Sequence, residues 1–109
     1  MRQEMITQPE AEDAEAFAQS LSAAADRLAQ ARDPEAFVAA MADQRNLWVR
    51  MRKAAPSLSY KIPDRIMDFS ISVTSKSRGG WNDQEIEALI SVDRSTSQEI
   101  FRATRLPAE

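Results

Sequence analysis

Apolar side chains recur along this sequence at intervals of three and four, the spacing that lines one face of a helix. Ala14, Phe17, Ala18, Leu21, Ala25 and Leu28 form the first such stripe, thin and mostly alanine. A stripe of small side chains predicts a helix that packs closely on a neighbour or stays loosely attached. Phe37, Val38, Met41, Leu47, Trp48 and Met51 form the second stripe. In the third, Ile62, Ile66, Phe69 and Val73 mark one face, and Met67 and Ile71 broaden it. So much apolar circumference predicts the central helix, covered on several sides. The fourth stripe runs through Ile86, Leu89, Ile90, Thr96, Ile100 and Phe101.

Start and stop signals bracket these stripes. Pro9 suits the first turn of a helix, and Glu10, Glu12 and Asp13 after it suit the positive end of the helix dipole. Asp33-Pro34-Glu35 is a cap, a proline at the first helical position and an acid. Arg50, Arg52 and Lys53 gather at the far end of that helix, Pro56 ends it, and residues 56–61 read as a loop. Pro63-Asp64 opens the third helix. Alternation of Ile71 and Val73 with serines also fits a short strand, but Pro63 and Gly79-Gly80 bracket a length too great for one. Trp81-Asn82-Asp83-Gln84-Glu85-Ile86 carries the clearest signal: Asn82 and Glu85 at capping-box spacing, with Trp81 and Ile86 at the staple positions. The expected helices span about 9–31, 34–54, 63–77 and 83–103, after a frayed leader at 1–8 and before Pro107. The predicted fold is all-α, a single small domain over 9–105 built as an antiparallel bundle of about four helices.

Composition narrows the chemistry. The 109 residues include two glycines, no cysteine and no histidine, which removes disulfides, thiolate nucleophiles, Cys/His zinc sites and imidazole acid–base chemistry within this chain. Glu85 and Glu87, two apart, do not share a helix face; Asp64 and Asp68 are more simply dipole complements. The Gly79-Gly80 pair reads as a helix terminator and not as a phosphate cradle. No catalytic residue, cofactor or metal is therefore expected, and the protein is read as a non-enzyme. No apolar run approaches the roughly 20 residues that span a bilayer, and the N-terminus has no apolar signal core, so a cytoplasmic protein is expected.

The net charge of −3 conceals a gradient. Residues 1–40 hold eight acids and three bases, 41–80 three and eight, and 81–109 six and three. A basic middle between acidic flanks fits a docking patch for an acidic partner or RNA; equally, the segments neutralise one another on folding.

Three segments together resemble the FlaF family of flagellar biosynthesis regulators. Ala40-Met41-Ala42-Asp43-Gln44-Arg45-Asn46-Leu47-Trp48 is similar to a family segment with an apolar pair, two variable positions, Asn-Arg, one variable position and Leu-Trp; Gln44 stands where the family has Asn. Ile62-Pro63 followed by Arg65, Ile66, Phe69, Ile71 and Val73 resembles the family's Leu-Pro and its Ile-Ser-Leu-rich helix. Leu89-Ile90-Ser91-Val92-Asp93-Arg94 resembles Leu-Ile-x-Val-Asn-Arg, with Asp93 replacing Asn. The resemblance covers about residues 36–101. It implies a small cytoplasmic protein required for flagellin production and filament assembly, associated with flagellin and opposing a second regulator that restrains flagellin synthesis through its mRNA.

A helical protein shields a partner's amphipathic helix by offering it an apolar groove. Met41, Trp48, Met51, Trp81 and Phe101 are the candidate anchors, since Trp is enriched in binding hot spots and Met adapts to varied apolar surfaces. The same residues at helical spacing also serve as core, Trp81 as the staple and Trp48 as a lock between helices two and three. Arg45 and Arg94 are candidates for pairing with a partner carboxylate, with Asp43 and Asp93 as internal alternatives. Two other readings keep the architecture: an RNA-binding regulator of flagellin mRNA acting through Arg45, Arg50, Arg52, Lys53, Lys61 and Arg65, or a helical adaptor for another partner. The thin first stripe fits docking in cis or in trans, which leaves the oligomeric state open.

Overall fold

The computed structural model describes residues 9–58, 60–76 and 80–105, with side chains from 14 to 104. The leader expected at 1–8, the acidic side chains at 10–13, the terminator at Gly79 and the stop at Pro107 lie outside the described residues. Four α-helices follow in order: α1 (Pro9–Gln30), α2 (Pro34–Ala54), α3 (Asp64–Thr74) and α4 (Asp83–Arg105). Among the described residues there is no strand, and Ile71 to Val73 are helical.

Each boundary has a local cause. Asp33, in extended backbone, accepts the Ala36 N–H through Oδ1 at 2.8 Å, and Pro34 takes the first helical position without losing a bond it needs. After α2 the chain tightens through one 3-10 turn, Ala55–Ser57, where a featureless loop was expected. α3 stops at Thr74, three residues short of the expected end. There Thr74 Oγ1 turns back to the Ser70 carbonyl at 2.7 Å, and Ser75 N–H bonds Ser72 in a tighter turn. At α4 the capping box is reciprocal: Glu85 N–H donates to Asn82 Oδ1 at 2.8 Å, and Asn82 N–H donates to Glu85 Oε1 at 3.2 Å. Lys76 reaches across to Glu85, and its ammonium, with the Asn82 amide, holds the Glu85 carboxyl below the usual carboxylate range. Asn82→Ala removes the cap and is expected to cost about 1 kcal/mol, read as a lower thermal midpoint with an unchanged far-UV spectrum at 20 °C or so.

The helices alternate in direction. Arg27 meets Asp43 between α1 and α2, and Arg52 meets Asp68 while Arg45 meets Ser75 between α2 and α3. α1 packs most extensively on α4, the first element against the last. Alanines 14, 18, 24 and 25 are all buried and let the two backbones approach, close enough for Ser97 Oγ to donate to the Ala18 carbonyl at 2.7 Å. The alanine-rich stripe thus marks close packing and not loose attachment.

α3 is not the covered centre that its apolar composition suggested. It fills one corner against α2 and, less extensively, α4. Eleven residues rise only about 16 Å, roughly half the length of the other helices, and Asp64, Arg65, Asp68 and Ser72 turn to solvent. Two apolar clusters fill the bundle. One gathers Leu21, Trp48, Met51, Leu58, Ile62, Met67 and Ile100; the other Leu28, Ala40, Met41, Val73 and Leu89, with Phe37, Trp81 and Ile86 packed on it.

Candidate functional site

Between the two apolar clusters lies a polar layer. Along α2 the buried positions run Met41, Gln44, Leu47, Trp48, so that one polar residue interrupts an otherwise apolar face. α3 contributes Ser70 and α4 contributes Asp93, both with no exposed surface. The Asp93 carboxylate accepts from Gln44 Nε2 at 2.5 Å and from Trp48 Nε1 at 3.0 Å, bonds that tie α4 to α2 across the bundle. Gln44 Oε1 and Ser70 Oγ are buried without a hydrogen-bond partner among the described residues. Burial raises the Asp93 pKa from an ordinary 3.8 to about 7, because the charged form loses its water. The bonds from Gln44 and Trp48 and the nearby Arg94 charge offset only part of that. Gln44 and Asp93, far apart in sequence, are thus bonded to each other.

The expected binding residues separate into three groups. Trp48 and Met51 are wholly inside, at 0% exposure, and in this conformation they hold the core. Arg45 and Trp81 come together at a groove of about 430 Å³ lined by Val38, Met41, Ala42, Arg45, Thr74, Lys76 and Trp81, to which Met41, 1% exposed, contributes only from the core beneath. Arg94 and Phe101 lie elsewhere. Arg94 bonds Asp26 of α1 at 3.0 Å, and Phe101 packs half-buried against the cluster around Trp48. Neither arginine takes the internal partner that its sequence neighbour offered. Asp43 faces Arg27, and Asp93 points inward, because residues one or two positions apart in a helix are turned about 100° or 200° from each other and do not share a face.

Local structure explains the groove. Val38, Met41, Ala42 and Arg45 fall at i, i+3, i+4 and i+7 and form a two-turn strip of α2. Trp81 closes one side as the staple residue before α4; its ring meets Phe37 edge-on with centroids 5.2 Å apart, and its Nε1 donates to the Val73 carbonyl at 2.7 Å. The end of α3 supplies Thr74, and the following segment Lys76. Val38 is 41% exposed, alone among the large hydrophobic side chains of the described residues. Sequence reading placed Val38 on the core stripe and passed over Ala42, Thr74 and Lys76. The i, i+3, i+4, i+7 strip was visible, but not that α3 leaves its outer end uncovered.

Of the basic residues of the middle segment, Arg52 is paired with Asp68, and Arg50 lies over the Phe17 ring at 5.9 Å. Among the described residues no three His, Cys, Asp or Glu side chains gather as a metal-binding group, and no helix is long and apolar enough to cross a membrane. Comparison with protein-family models, curated proteins and solved structures finds no match to this chain. The likeness to flagellar regulators rests on the three segments alone.

Proposed function

We propose that this chain is a cytoplasmic regulator of flagellar biosynthesis that binds flagellin and supports its synthesis, export and filament assembly by protein contact, without catalysis. The observation that carries the reading is the groove of Val38, Met41, Arg45 and Trp81, an apolar strip two helical turns long beside a guanidinium. Such a strip suits the helix-in-groove mode by which small helical proteins cover a partner's amphipathic segment. The spatial union of two of the resembling segments adds support: Trp48 of the first bonds Asp93 of the third, 45 residues away.

Titration calorimetry against the flagellin of the same organism, at 50 and 300 mM salt, tests the proposal. The expected result is binding at micromolar or lower Kd with a negative heat-capacity change and little salt dependence. Val38→Asp is expected to weaken it by about tenfold or more, since it places a carboxylate on the apolar floor. Arg94→Ala, on a different face, is expected to leave it unchanged. No binding at either salt would sink the flagellin reading. Binding to flagellin mRNA instead, falling steeply with salt, would turn the function to RNA.

A further inference from the structure

Asp93 is the one carboxyl among the described side chains with no exposed surface. A charge so placed needs a counter-ion, because an ion that leaves water without one neutralises instead. Among the described residues no cation lies within ion-pair distance of it. Arg94, next along α4, is at the surface and bonds Asp26 of α1. Every other charged side chain described on α1, α2 and α3 is exposed, with Arg27 against Asp43, Arg52 against Asp68 and Arg45 against Ser75. The interior that meets Asp93 is neutral: alanines and leucines from α1, Met67, Ser70, Val73 and Thr74 from α3, and Gln44 and Trp48 as its bonded partners from α2.

Gln44 is the partner that can serve both forms of this acid. Its Nε2 donates to Asp93 Oδ2 at 2.5 Å, and its Oε1 is buried with no partner among the described residues. That separation is shorter than the roughly 2.7 Å at which N–H···O bonds begin, and it fits an O–H···O bond. A carboxyl that keeps its proton has a donor to offer, and Oε1 is an acceptor without one. The two ends of an amide have nearly the same shape, so exchanging them costs no volume in a packed core. Either orientation leaves one amide atom unpaired, so the charge on Asp93 decides between them. Trp48 Nε1, 3.0 Å from Oδ1, donates to the carboxyl in both forms and holds it in place.

We propose that Asp93 and Gln44 form a proton-operated switch within the core: the neutral acid donates its Oδ2–H to Gln44 Oε1, and when the proton leaves for solvent the amide turns over and Nε2 donates to the carboxylate. Burial lifts the Asp93 pKa to about 7, which centres the switch near neutrality. The tie between α2 and α4 persists in both states while donor and acceptor exchange, and the anion draws more strongly on the Trp48 N–H. None of these atoms lines the groove, so the switch stands apart from the flagellin reading.

The test is an NMR titration of the full chain, isotopically labelled, from about pH 5 to about pH 9. The Asp93 carboxyl carbon and the Gln44 side-chain amide protons are expected to titrate together, with one midpoint near 7. The Trp48 indole proton moves to lower field as pH rises, since its acceptor gains charge. The cross-peak between the Gln44 amide protons and the Trp48 indole proton, two donors to one carboxylate, is expected on the alkaline side and lost on the acid side. Asp93→Asn offers the donor that the neutral acid offers, so it should hold the Gln44 amide at its acid-side shifts at every pH. Gln44→Leu removes one charge-favouring bond and should raise the Asp93 midpoint. A carboxyl carbon that stays in its charged position throughout would overturn the inference. So would Gln44 protons that hold still while Asp93 titrates, or Gln44 signals in Asp93→Asn that match the alkaline side.

Discussion

Trp48→Ala is expected to lower stability by about 3–5 kcal/mol, enough to leave a domain of this size barely folded. Three losses coincide at that position. The indole is the largest of the fully buried side chains, and its removal opens a cavity in the larger apolar cluster that the surrounding helices close only in part. Its N–H is one of two donors to Asp93, so the carboxylate is left with Gln44 alone. With Gln44, it also ties α2 to α4 through Asp93. Chemical denaturation followed by far-UV circular dichroism would read the change as a lower midpoint. Trp48→Phe separates the contributions: most of the volume stays, the donor goes, and the expected cost falls to about 1–2 kcal/mol. With one charge-favouring bond lost, the Asp93 pKa rises further, and the pH dependence described next extends to higher pH.

Asp93→Asn is expected to stabilise the protein at pH 8 and to have little effect near pH 4. The folded pKa of about 7 lies above the unfolded value of 3.8, so between these limits the folded chain binds a proton that the unfolded chain does not. Stability from this group is therefore fully present below about pH 4 and is lost as pH rises through 7. The span corresponds to about 4 kcal/mol at most. Asparagine removes the buried charge while keeping an oxygen for the Trp48 N–H, and Gln44 can turn its amide to present Oε1 to the new N–H₂. Denaturation midpoints of both proteins across pH 4 to 8 check this: the gap between them should open with rising pH, and parallel curves would show that Asp93 does not titrate in this range. A stabilising substitution at a buried, hydrogen-bonded position is unusual, and it follows only because the native group is an anion facing two neutral donors.

The helices and their ends were legible in the sequence wherever the cause is local. Asp33 caps through its own side chain, and Asn82 and Glu85 exchange bonds three residues apart, so nothing beyond one turn is needed to read them. The stripe on α1 left close packing and loose attachment both open, and only its packing against α4 decided between them. By contrast, the apolar richness of α3 pointed to the centre of the bundle and misled. Hydropathy reports how much surface wants cover; it does not say that a helix of eleven residues is too short to be surrounded by helices twice its length.

The candidate site divides in the same way. Periodicity put Met41, Trp48 and Met51 on one apolar stripe with Val38, and that stripe is wide enough to face both the core and a groove. Which residues are swallowed and which stay accessible depends on where α3 ends and where Trp81 lands. The bond from Gln44 to Asp93 spans 49 residues, and in the sequence each stood only as a replacement for Asn, with Asp93 a possible partner for Arg94. What the sequence by itself determined was the set of helices, their caps and their apolar faces, since these arise from contacts within a few residues. The tertiary structure alone decided which faces meet. It paired the buried carboxylate with its donors, sent Arg94 to Asp26, and left Arg45 beside an open apolar strip, because those outcomes depend on distances between helices that no local spacing encodes.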